Sequence, residues 1–176
     1  RQTEREQERI RDLLELIPPY GDSILDVGAR DGYLSRRLVG RFARVVALDL
    51  VQPEVRFPGI EAVAGDAAAL AYPDDAFDTV VCAEVLEHIA PADLARACRE
   101  LARVARRAVV IGVPYKQDLR FGETLCRSCR RPNPPWGHLN AFDEERIRSL
   151  FVPLQPAQVT YVGTSRDATN ALAAGL

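Results

Sequence analysis

Residues 24–38, ILDVGARDGYLSRRL, decide the fold, because an apolar run ends in a glycine-bounded turn and a helical pattern follows. This order predicts a buried strand, a tight turn and a helix. Further apolar runs that predict strands lie at 44–50, 61–66, 77–85 and 107–114. Strands that alternate with helices and loops predict an α/β fold with a mostly parallel central sheet and right-handed crossovers.

The remaining elements complete this pattern. Helical spacing predicts helices at 3–17, 34–41, 92–104 and 144–151, and a sixth strand is predicted at 157–163. Because parallel sheets are covered on both faces, we expect a three-layer αβα sandwich. The length of 176 residues corresponds to a single domain, 1–176. We expect residues 116–140 to form an inserted loop, rich in Cys, Arg and Pro, within that domain.

Composition excludes several classes of protein. The net charge of −2 creates no basic field for nucleic acid, so a nucleic-acid partner is disfavoured. No apolar run approaches the ~20 residues that span a bilayer, and no charged-then-apolar leader is visible, so we expect no membrane association. Four cysteines without a leader favour a reducing interior, and we expect a cytoplasmic protein. The sequence starts at Arg1 and has no methionine, which leaves open whether the termini are trimmed.

The ends of the predicted strands carry the polar side chains. Ligands of open parallel sheets bind beyond the carboxyl ends of the strands. In the turn 28–32, Arg30 stands where a dinucleotide site has glycine, which disfavours a nicotinamide or flavin cofactor. Asp49 ends the second strand and can accept from both hydroxyls of a ribose. Asp66 and Ala67 end the third, where a carboxylate can accept from an adenine amino group and a backbone N–H can donate to the ring.

A resemblance becomes specific in residues 65–89, GDAAALAYPDDAFDTVVCAEVLEHI. Together with ILDVGARDGYLSRRL and VVALDL (45–50), this run resembles class I S-adenosylmethionine-dependent methyltransferases. It is most similar to the small-molecule group that includes ubiquinone-biosynthesis enzymes, over roughly residues 20–115. The resemblance implies a Rossmann-like methyltransferase fold and S-adenosylmethionine as cofactor. It also implies methyl transfer to a small-molecule acceptor by in-line displacement, for which the protein mainly aligns the reactants.

The resemblance also implies a role for each matching residue. The methionine end of the cofactor is held by Asp26, Gly28, Arg30 and Gly32. The ribose is held by Asp49, and the adenine is held by Leu50, Asp66 and Ala67. Cys82 and Glu84 line the methionyl amine and the sulfonium. Arg30 departs from the glycine of many members, and its long side chain can turn to solvent or reach the cofactor carboxylate. The two histidines of the sequence, His88 and His138, are the candidate catalytic bases.

A divalent metal is one interpretation of the residues after the fourth strand. Two carboxylates and two imidazoles, those of Glu84, Glu87, His88 and His138, could ligate Mg²⁺, Mn²⁺ or Zn²⁺. The pattern is similar to metal-dependent terminal 2′-O-methyltransferases of small RNAs and to ubiquinone-type O-methyltransferases. A metal would lower the pKa of a substrate hydroxyl. The alternative is that Glu87 and His88 only begin the next helix.

A zinc site is a competing interpretation of His138. Cys126 and Cys129 form half of a zinc site, and His138 could be a third ligand. Free thiols and a redox pair are the alternatives. His138 cannot serve both metal sites.

The segment 116–131 is expected to cover the acceptor site, since the resemblance places the acceptor after the fifth strand. Its cations favour an acceptor with a carboxylate or phosphate, and Trp136 and Phe142 are expected to add apolar walls. An RNA end is an alternative acceptor. The alternatives for function are therefore an RNA 2′-O-methyltransferase that uses a divalent ion, or a catalytically silent domain that binds a partner. No pattern indicates the oligomeric state.

Overall fold

The computed structural model of the chain describes residues 4–162. The four helices are α1 (Glu4–Leu16), α2 (Tyr33–Leu38), α3 (Pro91–Val104) and α4 (Glu144–Leu150). The strands are β1 (Ser23–Val27), β2 (Arg44–Asp49), β3 (Ile60–Ala64), β4 (Phe77–Ala83), β5 (Ala105–Gly112), β6 (Thr124–Leu125) and β7 (Pro132–Asn133). Single 3₁₀ turns lie at Leu86–His88 and Pro135–Gly137. The five predicted strands of the sheet and the four predicted helices are thereby confirmed.

The central sheet is parallel and has the order β3-β2-β1-β4-β5. β1 pairs with β2 on one side and with β4 on the other, so that Val27 lies between Leu48 and Cys82. The strand order reverses between β1 and β4. In open parallel sheets this reversal opens a crevice beyond the carboxyl ends of the strands.

Alternate residues of the strands build two cores, one on each face of the sheet. Leu25 and Val80 face α3, which contributes an apolar stripe that includes Leu94 and Leu101. Ile24 and its same-face neighbours on β2 and β4 pack instead against α1 and α2. Because side chains alternate across a strand, a continuous apolar run supplies both cores. The three-layer αβα sandwich is confirmed.

The side chain of Asp78 connects neighbouring strands at the amino-terminal end of the sheet, opposite the crevice. Its Oδ2 accepts hydrogen bonds from the backbone N–H groups of Asp22, at 2.8 Å, and Ser23, at 3.2 Å. Its Oδ1 forms ion pairs with Arg106 at 3.1 Å and Arg107 at 3.3 Å. These backbone hydrogen bonds are the largest influence that lowers the pKa of this nearly buried carboxyl. Asp78 therefore ties the start of β1 to β4 and β5.

The sixth strand predicted at 157–163 is wrong for the residues that the structure describes. Residues 157–162 form no strand, and Gly163 lies outside the described residues. The segment alternates apolar and polar side chains, as a strand does, but Val159 and Tyr161 are exposed. Alternation alone does not make a strand, because extended backbone needs a neighbouring strand to take its hydrogen bonds.

Within residues 4–162, none of the helices combines the length and the apolar composition required to cross a bilayer.

Candidate active site

The turn after β1 is held against β2 by its own backbone. The N–H groups of Gly28 and Ala29 both donate to the carbonyl of Leu48, at 2.8 and 3.0 Å. Gly28 has a φ of +81°, and a Cβ there would come within 2.2 Å of the Val85 side chain. Only glycine meets both demands. The turn therefore lies pressed between β2 and the segment that follows β4.

Asp49 is oriented by the same turn. The N–H of Arg30 donates to its Oδ2 at 2.9 Å, and the N–H of Leu50 donates to its Oδ1 at 2.8 Å. Arg30 has a φ of +47°, which aims its N–H at the carboxylate while its side chain is exposed. Each carboxylate oxygen has a second lone pair. Asp49 can therefore still accept from the hydroxyls of a ligand.

The end of β3 lies beside the end of β2. The N–H of Gly65 donates to the carbonyl of Asp49 at 2.8 Å, which places Asp66 next in line. Asp66 is exposed, and its Oδ1 accepts a hydrogen bond from the backbone N–H of Ala68 at 2.8 Å. Leu50 is 74% exposed and the adjacent Val51 is 79% exposed, so this edge presents apolar side chains to solvent. An exposed apolar side chain beside two carboxylates fits an adenosine, which offers an apolar ring face and hydroxyl and amino donors. Ala67, which was assigned to the adenine edge, is buried.

Two predicted cofactor contacts have their side chains in the core instead. Asp26 is 3% exposed and accepts a hydrogen bond from the Ser35 hydroxyl at 2.5 Å, and burial raises the pKa of its carboxyl to about 6. Cys82 is fully buried against α3, and burial raises the pKa of its thiol. Because Asp26 shares a face with Ile24, and Cys82 shares a face with Val80, strand alternation turns both side chains inward. Their main chains remain at the ends of β1 and β4.

Glu84 follows β4 in a left-handed conformation, with a φ of +58°. Its backbone N–H donates to the carbonyl of Gly112, which extends the pairing of β4 with β5 by one hydrogen bond. Its carboxylate forms an ion pair with Arg9 of α1 at 2.8 Å. Burial raises the pKa of the Glu84 carboxyl, and the Arg9 charge opposes that rise. The ion pair connects the first helix to the crevice.

The carboxylate of Glu87 lies beside the two histidines. One of its oxygens and a ring nitrogen from each of His88 and His138 lie within 4.8 Å of one another. The imidazole rings meet edge to face, with centroids 4.7 Å apart. Glu87 is fully buried, and neither carboxylate oxygen has a hydrogen-bond partner among the described residues. Burial is the main cause that raises the pKa of this carboxyl to about 7.

The predicted four-ligand metal set is therefore assembled only in part. The structure brings Glu87, His88 and His138 together, whereas the Glu84 carboxylate is turned to Arg9. The alternative was that Glu87 and His88 only begin the next helix, but their 3₁₀ turn ends at His88, before α3 begins at Pro91. Glu87 belongs to a single 3₁₀ turn and is buried without a partner for its carboxylate in residues 4–162.

Hydrogen bonds fix the orientation of both imidazoles. The Nδ1 of His88 lies 3.3 Å from the carbonyl of Gly137, and the Nδ1 of His138 lies 2.5 Å from the amide oxygen of Gln117. An oxygen of this kind accepts, so each Nδ1 carries a proton, and in the neutral ring the lone pair is then on Nε2. Burial lowers the pKa of His138, and His88 adds to this effect. This lower pKa favours the form of His138 that has an Nε2 acceptor.

Asn140 holds the two halves of this cluster together. Its side-chain amide donates to the carbonyls of Leu86 and Ile89, at 3.1 and 2.7 Å. The N–H groups of Leu139 and Asn140 both donate to the carbonyl of Glu87. Sequence reasoning missed Asn140 and the Gln117 that orients His138, since neither residue belongs to a spaced motif.

The predicted zinc triad is wrong as a set. Cys126 and Cys129 lie at the tip of the β6-β7 hairpin, whereas His138 is held beside Glu87 by the hydrogen bonds just described. Backbone N–H groups of Cys129 and Ser128 donate to the Cys126 sulfur and lower the pKa of that thiol. The cysteine pair is thus left without an imidazole.

The two residues expected to form apolar walls of the acceptor site differ in exposure. Trp136 is 71% exposed, and its ring centroid lies 6.0 Å from that of His138. Phe142 is 2% exposed and belongs to the core. Its carbonyl accepts from the N–H of Lys116 at 2.7 Å, and this pairing places its ring beneath the segment that follows β5.

Comparison with known proteins identifies the fold family. Residues 25–111 match the family described as "Methyltransferase domain". The matched segment belongs to this methyltransferase family. Among curated relatives, a ubiquinone biosynthesis O-methyltransferase of Albidiferax ferrireducens is 30% identical over 107 residues, which are 54% of this chain and 42% of that protein. An uncharacterised methyltransferase of Mycobacterium tuberculosis is 34% identical over 61% of this chain and 45% of its own length. The methyltransferase chain thus spans less than half the length of these relatives.

Solved structures share the fold of this methyltransferase chain. A Burkholderia thailandensis 1,6-didemethyltoxoflavin-N1-methyltransferase, solved with 1,6-didemethyltoxoflavin and S-adenosylhomocysteine, aligns with a TM-score of 0.60 at 21% identity. The alignment covers 80% of this chain and 64% of that one. The [4+2]-cyclase SpnF aligns with a TM-score of 0.59 at 19% identity, over 81% of this chain and 54% of the cyclase. The fold of the methyltransferase family therefore also hosts a different reaction.

Proposed function

We propose that this chain transfers a methyl group from S-adenosylmethionine to a small-molecule acceptor by in-line displacement. The observation that carries the proposal is the edge of the sheet where Asp49 and Asp66 lie beside exposed Leu50. This arrangement matches the donors and the apolar face of an adenosine. The turn 28–32 adjoins it and would receive the methionine end of the cofactor, as the family resemblance implies.

The chain's own residues have three tasks in such a reaction. Asp49, oriented by the N–H of Arg30, accepts from the ribose hydroxyls. The walls of the crevice align the acceptor with the methyl group, and alignment of this kind can supply about 7–11 kcal/mol of the barrier. When no cation occupies them, the ring nitrogens of His88 and His138 can take the proton of a hydroxyl or amine acceptor. The lowered pKa of His138 keeps that ring neutral near pH 7 and able to accept.

A small-molecule acceptor is supported by the relatives and by the charge of the chain. Curated relatives are named as ubiquinone biosynthesis O-methyltransferases, and the toxoflavin-type neighbour was solved with a small heterocycle. None of the relatives described above is named as an RNA methyltransferase. The net charge of −2 also provides no general field for RNA. A silent domain that binds a partner is the alternative that the cofactor titration below excludes or favours.

We also propose that Glu87, His88 and His138 hold a divalent cation in the acceptor site. A buried carboxylate with two unpartnered oxygens is costly unless a cation or a proton compensates it. A ring nitrogen from each of His88 and His138 lies beside it and completes a three-ligand set, with open positions for water or an acceptor oxygen. A bound ion would supply Lewis acidity, which lowers the pKa of an acceptor hydroxyl. Asn140 and Gln117 hold the ligands in place.

The decisive experiment is a calorimetric titration of the purified chain with S-adenosylhomocysteine. We expect a Kd in the micromolar range and a one-to-one stoichiometry. A chain that binds no S-adenosylhomocysteine contradicts the proposal and favours the silent domain. Transfer of labelled methyl groups to a panel of phenols and amines, with Mn²⁺ or with a chelator, then tests the acceptor class and the cation. An RNA oligonucleotide with a free 3′ end serves as the competing acceptor.

A further inference from the structure

The inserted hairpin carries two cysteines, half-buried Cys126 and exposed Cys129, in a conformation fixed by the backbone. β6 and β7 pair antiparallel and enclose the turn Cys126-Arg-Ser-Cys129. The N–H of Cys126 donates to the carbonyl of Arg131, and the N–H of Arg130 donates to the carbonyl of Cys126, both at 2.9 Å. Arg130 has a φ of +59° and turns the chain back toward β7. The turn is therefore tightly closed.

This turn concentrates hydrogen-bond donors on one sulfur. The backbone N–H groups of Ser128 and Cys129, and the thiol of Cys129, all point to the sulfur of Cys126. Donors that converge in this way stabilise a thiolate, which is the form that binds metals. Both cysteines are free thiols, and neither lies in the core. The methyl-transfer site uses neither of them.

Within this sequence, the pair has no further thiolate or imidazole partner. The sequence contains four cysteines and two histidines. Cys82 and Cys98 are buried in the core beneath the sheet, and His88 and His138 lie together beside Glu87. A tetrahedral zinc site needs four ligands, and thiolates and imidazoles are its usual ones. No further cysteine or histidine of this sequence is left to complete the set.

We propose that Cys126 and Cys129 bind Zn²⁺ together with the same two cysteines of a second copy of the chain. Two identical hairpins that meet tip to tip supply four thiolates around one ion and obey a two-fold axis. The zinc site is then complete only in the dimer. The proposal is independent of methyl transfer.

The charges around the tip make this contact depend on the metal. Arg127, Arg130 and Arg131 lie on the same hairpin and are exposed. Two such tips repel each other when no metal is present. Four thiolates around one Zn²⁺ carry a net negative charge, so the same arginines then surround a centre of opposite sign. Zinc therefore acts as the switch between monomer and dimer.

The experiment measures zinc content and molar mass on the same samples. The metal-free chain is prepared in reducing buffer, titrated with Zn²⁺, and analysed by light scattering during size-exclusion chromatography. The stoichiometry is measured in the His138→Ala variant, which removes an imidazole from the Glu87 cluster. We expect one zinc per two chains, a change from monomer to dimer on addition of zinc, and a return to monomer with a chelator.

A cysteine-specific probe and a double variant provide the controls. Co²⁺ added to the His138→Ala variant should produce thiolate-to-metal absorption that saturates at half an equivalent per chain. The double variant Cys126→Ser, Cys129→Ser should lose this absorption and the dimer. Its circular dichroism should be unchanged, because both residues lie outside the core. One zinc per chain in a monomer overturns the proposal, as does a zinc-dependent dimer that persists in the double variant.

Discussion

His88 and His138 come from two separate segments of the chain and meet edge to face, with ring centroids 4.7 Å apart, beside the buried carboxylate of Glu87. His88 belongs to the 3₁₀ turn that follows β4, whereas His138 lies near the end of the inserted loop 116–140. Their contact depends on the hydrogen bonds that attach residues 138–140 to residues 86–89. The inserted loop thus contributes a side chain to the same site as the family motif.

Removal of the Asn140 side chain should loosen this site without affecting the cofactor edge. Asn140→Ala leaves the buried carbonyls of Leu86 and Ile89 without their donor, and each unpaired group costs about 1–3 kcal/mol. We expect a lower free energy of unfolding in urea and weaker binding of Mn²⁺. The Kd for S-adenosylhomocysteine should stay within a factor of about two. An equal loss of cofactor and cation binding would show a general structural role instead.

The sheet and its cofactor edge were predictable from the sequence because their signals are local. Continuous apolar runs mark strands with two buried faces, and the order of these runs fixes the positions of Asp49 and Asp66 at neighbouring strand ends. The glycine turn was recognisable because only glycine fits against Val85 with a φ of +81°. Each of these features depends on a few consecutive residues.

The features that sequence reasoning missed depend on contacts between distant segments. Gln117 and Asn140 act through hydrogen bonds to residues that lie far away in the sequence, so no spacing reveals them. Phe142 resembles a pocket wall by composition, yet backbone pairing near Tyr115 places it in the core. The segment 157–162 has the alternation of a strand, but its extended backbone joins no sheet among the described residues.

Substitution of Asp49 should weaken cofactor binding selectively. In Asp49→Ala the carboxylate that would accept from the ribose is lost, and so is the acceptor for the N–H of Arg30. Loss of a charged hydrogen-bond acceptor costs about 1.5–3 kcal/mol, which corresponds to a roughly 10- to 150-fold higher Kd. Calorimetry with S-adenosylhomocysteine measures this change. The matched control is Asp93→Ala on α3, a surface acid paired with Arg96, which should bind with unchanged affinity.

Asp78 should make the fold sensitive to acid. Its pKa is lowered in the folded protein, so its ionised form contributes stability above the pKa of the unfolded chain, near 4. That contribution is lost as the pH falls through the lower, folded pKa. Asp78→Asn should therefore unfold more easily at pH 7 and lose less stability than the wild type between pH 5 and pH 2. Urea denaturation at a series of pH values measures both effects.

The control for this pH dependence is Asp74→Asn. Asp74 also pairs with an arginine, Arg103, but its side chain is 77% exposed, and exposed pairs contribute about 0–1 kcal/mol. Its curve of stability against pH should follow that of the wild type. Identical curves for Asp78→Asn and the wild type would contradict the anchoring role of Asp78.

Glu87 should couple pH, cation binding and stability. Burial raises the pKa of its carboxyl to about 7, so in the metal-free chain the protonated form is favoured by folding. Stability from this group is fully present below the usual glutamate pKa and is lost as the pH rises through about 7. A divalent cation binds the ionised form and restores stability at pH 8. At one hundred times its Kd, the cation adds about 2.7 kcal/mol to the free energy of unfolding.

The neutral isostere separates this coupling from other effects of pH. Glu87→Gln cannot ionise, so its metal-free stability should change less between pH 5 and pH 8 than that of the wild type. Mn²⁺ should raise the thermal unfolding temperature of the wild type at pH 8, but not that of Glu87→Gln. Glu54→Gln, which removes an exposed carboxylate elsewhere, should respond to Mn²⁺ as the wild type does. Equal stabilisation of all three proteins by Mn²⁺ would place the cation elsewhere and leave the buried carboxylate of Glu87 to be compensated by a proton alone.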